Sequence, residues 1–489
     1  MRFTRRLVMR TFSFPAMLAS SLAVLAVLTV RSRFSDPDLW WHLRTGQIIA
    51  TGHLIPRVDL LSFTTGEHAW VAHEWLTQFL LFVVWKAAGY QGLMLWFCSM
   101  TVALLLIEYA LCWLYSNNLK GAFVGALVAW FFATIGLAIR PQLVGYLLLA
   151  CELVLVELGR SRNPRWFLLL PPLFALWVNC HGSFLLGLGL LAIVLVSSFL
   201  PRRAGLIESR QLDPLRRRML AWSSALCLPA IFANPVGLSL LAYPLRTMFD
   251  SRMQLDAVSE WRWLAFDDPR AFGLIAVAGA ILLLPLLRRA SLYWDEGLMV
   301  AAMLGLALLH QRLLFAWGIV AAPVLCRQIA PLWSGYEPAR DSRWLNAGLM
   351  VAALAAIFAF FPKTEELRAQ VARNNPVQAV DYLRRAHLSG NMLNDYVYGG
   401  YLAWALPERR VFIDGRGDVY AWTGVLRDYG NWATLQADPN DLLERYHIGF
   451  CLLSRHAPLS RVLHYLPGWR ELYSDSDAVI FGRTGGDPQ

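Results

Sequence analysis

The sequence is poor in charged residues and lacks several common catalytic motifs. Only 16% of its 489 residues are charged, whereas soluble domains average about 25%. It contains no P-loop, no GxGxxG and no Gly-x-Ser-x-Gly pattern, so nucleotide-driven and serine-hydrolase chemistry have no support. Its seven cysteines include no CxxC pair. We therefore predict neither a disulfide in the outer part of the protein nor a structural zinc site.

Apolar residues are abundant instead, at 57% of the chain. This excess predicts a polytopic α-helical membrane protein, because each crossing of a bilayer takes about 20 apolar residues. The apolar runs predict about eleven transmembrane helices, at 12–30, 92–115, 121–139, 143–158, 166–180, 184–200, 219–233, 271–287, 297–310, 313–329 and 344–361.

The basic residues predict the orientation. With the N-terminus inside, the inner segments hold 19 Lys and Arg and the outer segments before the tail hold 11. This bias follows the positive-inside rule and places the tail after residue 361 outside. The net charge is +10, but the tail contains 15 acids against 14 bases. The surplus positive charge is therefore a topology signal, and we expect no nucleic-acid partner.

Two regions are predicted to lie outside the membrane. The first outer loop, 31–91, has a helical stretch to about Ala50 and an apolar run from Leu76 to Trp85, which we interpret as two helices along the outer surface. We divide the chain into a transmembrane domain, 1–361, and an extracytoplasmic α/β domain, 362–489. In the latter domain, helices are predicted at 376–386, 422–435 and 439–446, and strands at 410–413, 450–454 and 478–481.

Asp36 and Asp38 follow the first predicted span. Two carboxylates at this spacing suit a divalent cation, or one of them suits a general base. If 38–49 is helical, the substrate-binding candidate His42 lies one turn from Asp38 on the same face. A structural interpretation, in which Asp36 caps the helix and Asp38 favours its positive end, is compatible with both roles. We take both acids as catalytic candidates and as tentative metal ligands.

His73 and Glu74 form the second candidate pair. They lack the HExxH spacing, which excludes the metalloprotease motif. Glu74 is a third catalytic candidate that could join Asp36 or Asp38 around an ion, and His73 is a candidate for substrate binding. The alternative is a boundary helix with a polar start.

Further substrate-binding candidates lie at the outer ends of spans. Arg140 and Arg312 are cations whose planar guanidinium groups suit phosphate, and polar groups at such depth are usually functional. The alternative for them is snorkelling to the headgroups. Asn179 and His181 could line the same cavity or cap their spans, and Glu260 could face the site or lie at its rim. In the tail, Asp414-Gly415-Arg416-Gly417-Asp418 predicts an ion-binding turn or, more plainly, a tight turn.

Together these features resemble the GT-C superfamily of membrane glycosyltransferases, which have paired acids in the first outer loop, surface helices, many spans and an outer C-terminal domain. The chain is similar to a group of bacterial GT-C-like proteins over most of its length. The motifs of this likeness are Asp36-Pro37-Asp38-Leu39-Trp40-Trp41-His42, His73-Glu74-Trp75, Arg140-Pro141-Gln142, Trp177-x-Asn179-x-His181-Gly182 and Phe412-Ile413-Asp414-Gly415-Arg416.

The resemblance implies a polyprenyl-phosphate sugar donor, used at the outer face of a bacterial cytoplasmic membrane on a glycan or protein acceptor. It implies that Asp36 or Asp38 activates the acceptor hydroxyl or helps to hold a divalent metal ion, and that Arg140 or Arg312 holds the lipid phosphate. Several GT-C enzymes have a further acid where this chain has Arg140-Pro141-Gln142, and Glu74 or Glu260 would substitute for it.

The expected function is therefore glycosyl transfer from a lipid-phosphate donor. One alternative is a non-catalytic GT-C-fold membrane protein that binds a lipid-linked glycan or a partner protein. Another is a glycan or lipid transporter, although the outward bias of the polar groups argues against it, because transporter sites lie near the midplane on broken helices.

Overall fold

The computed structural model describes residues 11–66, 68–133, 136–205, 207–249, 262–288 and 291–484. The chain divides into two compact units. Unit 1 comprises Met1–Arg33, Met94–Gly237 and Ser259–Pro362, and unit 2 comprises Phe34–Leu93, Leu238–Val258 and Lys363–Gln489. The boundary between a transmembrane domain, 1–361, and an extracytoplasmic domain, 362–489, remains a prediction. The compact unit that contains the tail also contains most of the first outer loop.

Unit 1 is built from apolar helices. They are Phe14–Val30, Leu119–Ala133, Pro141–Ser161, Leu170–Cys180, Phe184–Ser197, Pro214–Ala230, Pro269–Arg288, Trp294–Leu309, Leu314–Ile329 and Arg343–Phe360. The helix Trp75–Ser116 begins in unit 2 and is kinked at Gly89, whose φ of 56° is left-handed. Three two-residue strands, β1 (Arg203–Ala204), β2 (Ile207–Glu208) and β3 (Leu292–Tyr293), pair in that order.

Five helical segments in the described part of the chain are long and apolar enough to cross a membrane. They are Trp75–Ser116, Pro141–Ser161, Pro269–Arg288, Gln311–Leu332 and Arg343–Phe360. Three shorter apolar helices accompany them. Each predicted span overlaps a helix, because a continuous apolar run is the most direct sequence signal for a membrane helix. The number of crossings, about eleven, stays a prediction.

A buried ion network holds several helices of unit 1 together. Arg210 donates to Glu157 at 2.6 Å and to Glu296 at 2.5 Å. Arg327 donates from Nε to Glu296 Oε1 at 2.9 Å. Buried carboxylates are costly unless paired, so these arginines stabilise acids that lie on two different apolar helices.

Unit 2 contains the other helices and a four-stranded sheet. Its helices are Asp38–Gly52, Leu238–Phe249, Thr364–Asn374, Val377–Ala386, Tyr396–Ala405, Gly417–Thr423, Val425–Ala433, Pro439–Arg445 and Pro458–Leu463. The strands are β4 (Asn391–Asn394), β5 (Ile448–Ser454), β6 (Trp469–Ser474) and β7 (Ala478–Arg483), in the order β4-β5-β7-β6. The pair β4–β5 is parallel, and both other pairs are antiparallel.

The two faces of this sheet bury different core clusters. Side chains alternate across a strand, so Phe450 and Leu452 pack in one cluster while Cys451 and Leu453 pack in the other. The first cluster also contains residues of the first outer loop, including Trp41, Leu61, Trp70 and Ala72. The first outer loop is thus part of the core of unit 2.

The structure corrects several predicted elements of the tail. The predicted strand at 410–413 is wrong. Val411 forms only an isolated bridge, and its partner Ser62 lies in the first outer loop. The single helix at 422–435 is also wrong, because Gly424, at φ 81°, separates two short helices. The strands β4 and β6 have little sequence signal, since β4 has only four residues and no residue of β6 is buried.

Candidate active site

The acids of the first outer loop begin a helix. Asp36 Oδ1 accepts a hydrogen bond from the backbone N–H of Asp38 at 2.8 Å, which is the local turn that favours helix initiation. The helix Asp38–Gly52 follows, so the prediction that Asp38 and His42 share a helix is confirmed. His42 is buried, with its ring 3.6 Å from the ring of Trp41. The N-cap position is Pro37 rather than Asp36, and Asp36 supports the start of the helix through its hydrogen bond to the Asp38 N–H.

Glu74 lies between two imidazole rings. Its Oε2 is 3.7 Å from His42 Nδ1, and its Oε1 is 3.5 Å from His73 Nε2. The amide nitrogen of Gln78, one helical turn further along the chain, lies 3.1 Å from His42 Nδ1. Both candidate histidines of the first loop thus meet around one buried carboxylate.

His73 is held on several sides. Its Nδ1 lies 3.3 Å from the carbonyl oxygen of Val71, and its ring stacks on that of Tyr243 at 4.4 Å. Burial lowers the pKa of His73, but the Glu74 carboxylate and, more weakly, Asp418 raise it, and the net shift is upward. The surroundings of His73 thus favour the charged imidazolium more than water does around a free histidine.

The tail contributes a further acid to this cluster. The hydroxyl of Tyr243 donates to Asp418 Oδ2. Burial raises the pKa of Asp418 to about 6, against the lowering effect of His73. A carboxyl group with such a pKa titrates near neutral pH, where acid–base catalysts work.

Asp38 is packed tightly against the tail turn. A Cβ atom placed on Gly415 would come within 1.8 Å of Asp38 Oδ1 and 3.1 Å of Trp41 Nε1. A Cβ atom on Gly400 would come within 2.5 Å of the Pro37 carbonyl oxygen. These two glycines of the tail allow the first-loop helix to begin where it does.

The motif Asp414-Gly415-Arg416-Gly417-Asp418 has two separate tasks. Arg416, 2% exposed, donates to Asp59 at 2.6 Å and to Asp414 at 2.6 Å. Both acids are fully buried, so this half of the motif is a structural ion cluster. Asp418 belongs instead to the polar cluster of His73 and Glu74.

The remaining described candidates lie in unit 1. The side-chain nitrogen of Asn179 donates to the carbonyl oxygens of Ala175 and Ala233, both at 2.8 Å. His181 Nδ1 accepts from the backbone N–H of Ser183 at 3.1 Å, which leaves the proton of the neutral ring on Nε2. Glu260 lies outside the described residues.

Arg312 is linked to the turn after Arg140. Gln142 Oε1 accepts from Arg312 Nη2 at 3.4 Å, and the hydroxyl of Tyr146 donates to the Arg312 carbonyl oxygen at 2.9 Å. Arg140 itself is the extended residue before the 21-residue helix Pro141–Ser161. The two predicted arginine turns therefore meet at the N-terminus of a long helix, where the helix dipole favours an anion.

Comparison with known proteins gives the fold. No protein-family model and no curated protein sequence matches this chain. The Archaeoglobus fulgidus oligosaccharyltransferase, tethered with an acceptor peptide, matches with TM-score 0.57 and 13% identity over 95% of this chain and 74% of that one. ArnT from Cupriavidus metallidurans, bound to undecaprenyl phosphate, matches with TM-score 0.52 and 12% identity over 96% and 99%. Arabinofuranosyltransferase AftD from mycobacteria matches with TM-score 0.50 and 12% identity over 95% and 41%.

The chain has a GT-C-like fold. The expected GT-C-like fold is confirmed, and the apolar helices of the described residues support a membrane location. At 12–13% identity, the likeness extends to the fold alone. The roles of the individual residues in this GT-C-like fold remain proposals.

The predicted metal site is not complete in the described residues. One structure of the Archaeoglobus fulgidus enzyme is a complex with Zn and sulfate. In the part of this chain that the structure describes, no three His, Cys, Asp or Glu side chains form a group that could hold a metal ion. Asp36 and Asp38 alone do not fit such a site.

Sequence reasoning missed three residues of the cluster in unit 2. Gln78 could have been found, because it lies one turn after Glu74 on a predicted helix. Asp418 was noted only as part of a turn. Tyr243 had no local signal, since 175 residues separate it from Asp418.

Proposed function

We propose that the protein is a glycosyltransferase that moves a sugar from a polyprenyl-phosphate donor to an acceptor at the outer face of a bacterial cytoplasmic membrane. The observation that supports this best is the cluster of His42, His73 and Glu74 in the first outer loop of a GT-C-like fold, with Asp38 at the start of the helix that contains His42. In the proposal, about eleven spans place the N-terminus inside and the α/β tail outside. The sugar and the acceptor, a glycan or a protein, are left open.

The donor end of the proposed reaction needs a cation for the departing phosphate. Arg312 is oriented through Gln142, and Arg140 precedes the N-terminus of the same helix. Guanidinium groups bind phosphate with paired hydrogen bonds, and helix N-termini add a favourable dipole. The neighbour ArnT was solved bound to undecaprenyl phosphate, which supports this class of donor.

The acceptor end needs a group that takes a proton. Asp36 and Asp38 at the start of the first-loop helix, and Glu74 beside His42 and His73, supply acid–base groups at this end. Asp36 or Asp38 would activate or orient the acceptor hydroxyl, and Glu74 would hold His42 and His73.

Replacing Asp36 or Asp38 with Asn is expected to reduce transfer by at least about 100-fold, since an acid–base group contributes roughly 10²–10⁴-fold. The measurement compares the surface glycans of a deletion strain that expresses each variant. Asp381→Asn, an exposed acid paired with Arg384, is the matched control and should give wild-type glycans. Unchanged glycans in both first-loop variants, at normal protein levels, would contradict the transferase function and favour a non-catalytic binder.

Replacing Arg140 or Arg312 with Ala is expected to weaken binding of undecaprenyl phosphate by about 10–100-fold, because a hydrogen bond to a charged group contributes about 1.5–3 kcal/mol. Native mass spectrometry of the purified protein with that lipid measures the affinity. Arg340→Ala removes a guanidinium that is 80% exposed and should leave binding intact. Wild-type affinity in both test variants would remove the phosphate role from these arginines.

A further inference from the structure

Two acids of the same tail turn have opposite surroundings. Asp414 is fully buried and paired with Arg416. Asp418 is partly exposed, and its partners among the described residues are the Tyr243 hydroxyl and the His73–Glu74 pair, with no arginine or lysine. A structural ion pair explains Asp414, but it does not explain Asp418.

We propose that Asp418 is a further catalytic residue, which takes the proton of the acceptor hydroxyl, and that Tyr243 and His73 position it. This inference rests on the proposed glycosyl transfer and names the base within it. Tyr243 connects Asp418 with His73, since its hydroxyl donates to Asp418 and its ring stacks on that of His73 at 4.4 Å. His73 is in turn fixed by Glu74, at 3.5 Å, and by the Val71 carbonyl oxygen.

The first-loop acids have other tasks in this assignment. One oxygen of Asp36 accepts the backbone N–H of Asp38. Asp38 Oδ1 lies against the backbone of Gly415. These contacts suit acids that orient the acceptor and shape the turn, whereas Asp418 is partly exposed and lies near His73, whose pKa is raised.

The step is balanced without another reactant. The O–H bond of the acceptor breaks, and its proton moves to the Asp418 carboxylate. The electron pair of the acceptor oxygen forms the new bond to the anomeric carbon, while the bond from that carbon to the lipid-phosphate oxygen breaks and leaves its electron pair on the phosphate. Asp418 then releases the proton to water through the open side of the cluster, where His73 is 20% exposed.

The assignment predicts a pH dependence. The titratable groups that face Asp418 are Tyr243, on the helix Leu238–Phe249, and His73 and Glu74, before the helix Trp75–Ser116. Below a pH of about 6 Asp418 is protonated and cannot accept a proton, so transfer should fall on the acid side.

Tyr243→Phe provides the critical test. The Tyr243 hydroxyl donates to the ionised carboxylate, so its removal raises the pKa of Asp418. The fall of the transfer rate on the acid side of the pH profile (the acid limb) then moves to higher pH, by about half a unit or more. A purely structural role would lower transfer equally at every pH. Asp418→Asn should reduce transfer at least about 100-fold, Asp418→Glu should retain part of it, and the exposed control Asp441→Asn should match the wild type.

Membrane vesicles from cells fed radiolabelled glucose are the assay system, and the loss of label from the polyprenyl-phosphate fraction between pH 5 and 8 is the readout. Undecaprenyl phosphate binding of each variant should stay at the wild-type level, which also reports correct folding. A wild-type rate in Asp418→Asn together with an unshifted limb in Tyr243→Phe overturns the assignment. If Asp38→Asn is inactive in that case, only the assignment of Asp418 as the base is rejected. If Asp38→Asn is also fully active, the proposed glycosyltransferase function is rejected as well.

Discussion

Replacing Arg416 with methionine is expected to destabilise unit 2 by about 3–5 kcal/mol, the cost of leaving buried charges without their partner. Arg416 donates to Asp59 and Asp414, each at 2.6 Å, and its guanidinium lies 4.8 Å from the Trp70 ring centre. Both carboxylates are 0% exposed. Methionine keeps the volume of the side chain but leaves two acids without a cation.

The purified full-length protein provides the measurement. For a unit of this size each kcal/mol shifts the melting midpoint by about 2–4 °C, so a fall of roughly 6–20 °C is expected. Arg427→Met, in the same segment, changes an exposed arginine and should stay within about 0.5 kcal/mol of the wild type. Equal midpoints for the two variants would show that the buried cluster does not stabilise unit 2.

The same cluster has a signature in pH. Burial alone would raise the pKa of Asp59, but Arg416 and several hydrogen bonds lower it below its usual value. A depressed pKa in the folded state contributes stability that is present above the unfolded pKa and is lost as the pH falls through the folded one. The wild type should therefore lose stability in acid below about pH 4. Arg416→Met should instead regain part of its loss between pH 7 and 5, because its unpaired buried acids then become neutral.

The fold was predictable where the signal is local. Apolar runs give the positions of the helices in unit 1. A run of about 20 apolar residues predicts a membrane helix by itself, so distant parts of the chain are not needed. The start of the first-loop helix was also readable, since Asp36 and Pro37 are helix-initiating residues in sequence order. His42 followed from helical spacing.

The site was only partly predictable because half of it comes from distant segments. The sequence predicts Val411 in a strand, yet Val411 forms an isolated bridge with Ser62 in the first outer loop. Nothing near Tyr243 indicates that its hydroxyl reaches Asp418. The sequence does not distinguish the two acids of the tail turn. Only the burial of Arg416 in the structure separates its structural partner Asp414 from Asp418, which lies near His73.

Replacing Gly415 with alanine is expected to reduce transfer by about 100-fold, because a misplacement of about 1 Å in a group that positions the acceptor costs that much. The added Cβ would lie 1.8 Å from Asp38 Oδ1, so the carboxylate or the turn must move. The backbone of Gly415 is not left-handed, and the effect therefore comes from the lost space rather than from backbone strain. Gly400→Ala should act in the same direction, since its Cβ would lie 2.5 Å from the Pro37 carbonyl oxygen at the same helix start.

The surface-glycan comparison used for the aspartates measures this loss, with the melting midpoint as the control for folding. Gly430→Ala is the matched control: the structure shows nothing within 4 Å of its added Cβ, and alanine favours the helix Val425–Ala433 by up to about 1 kcal/mol. It should keep wild-type glycans at equal or higher stability. Full glycans in Gly415→Ala would show that transfer does not depend on the position of Asp38, and would move the acceptor end of the reaction away from the first-loop helix. Lost glycans with an intact midpoint would place Asp38 and the tail turn in one working site, because no other described side chain lies closer to the added atom.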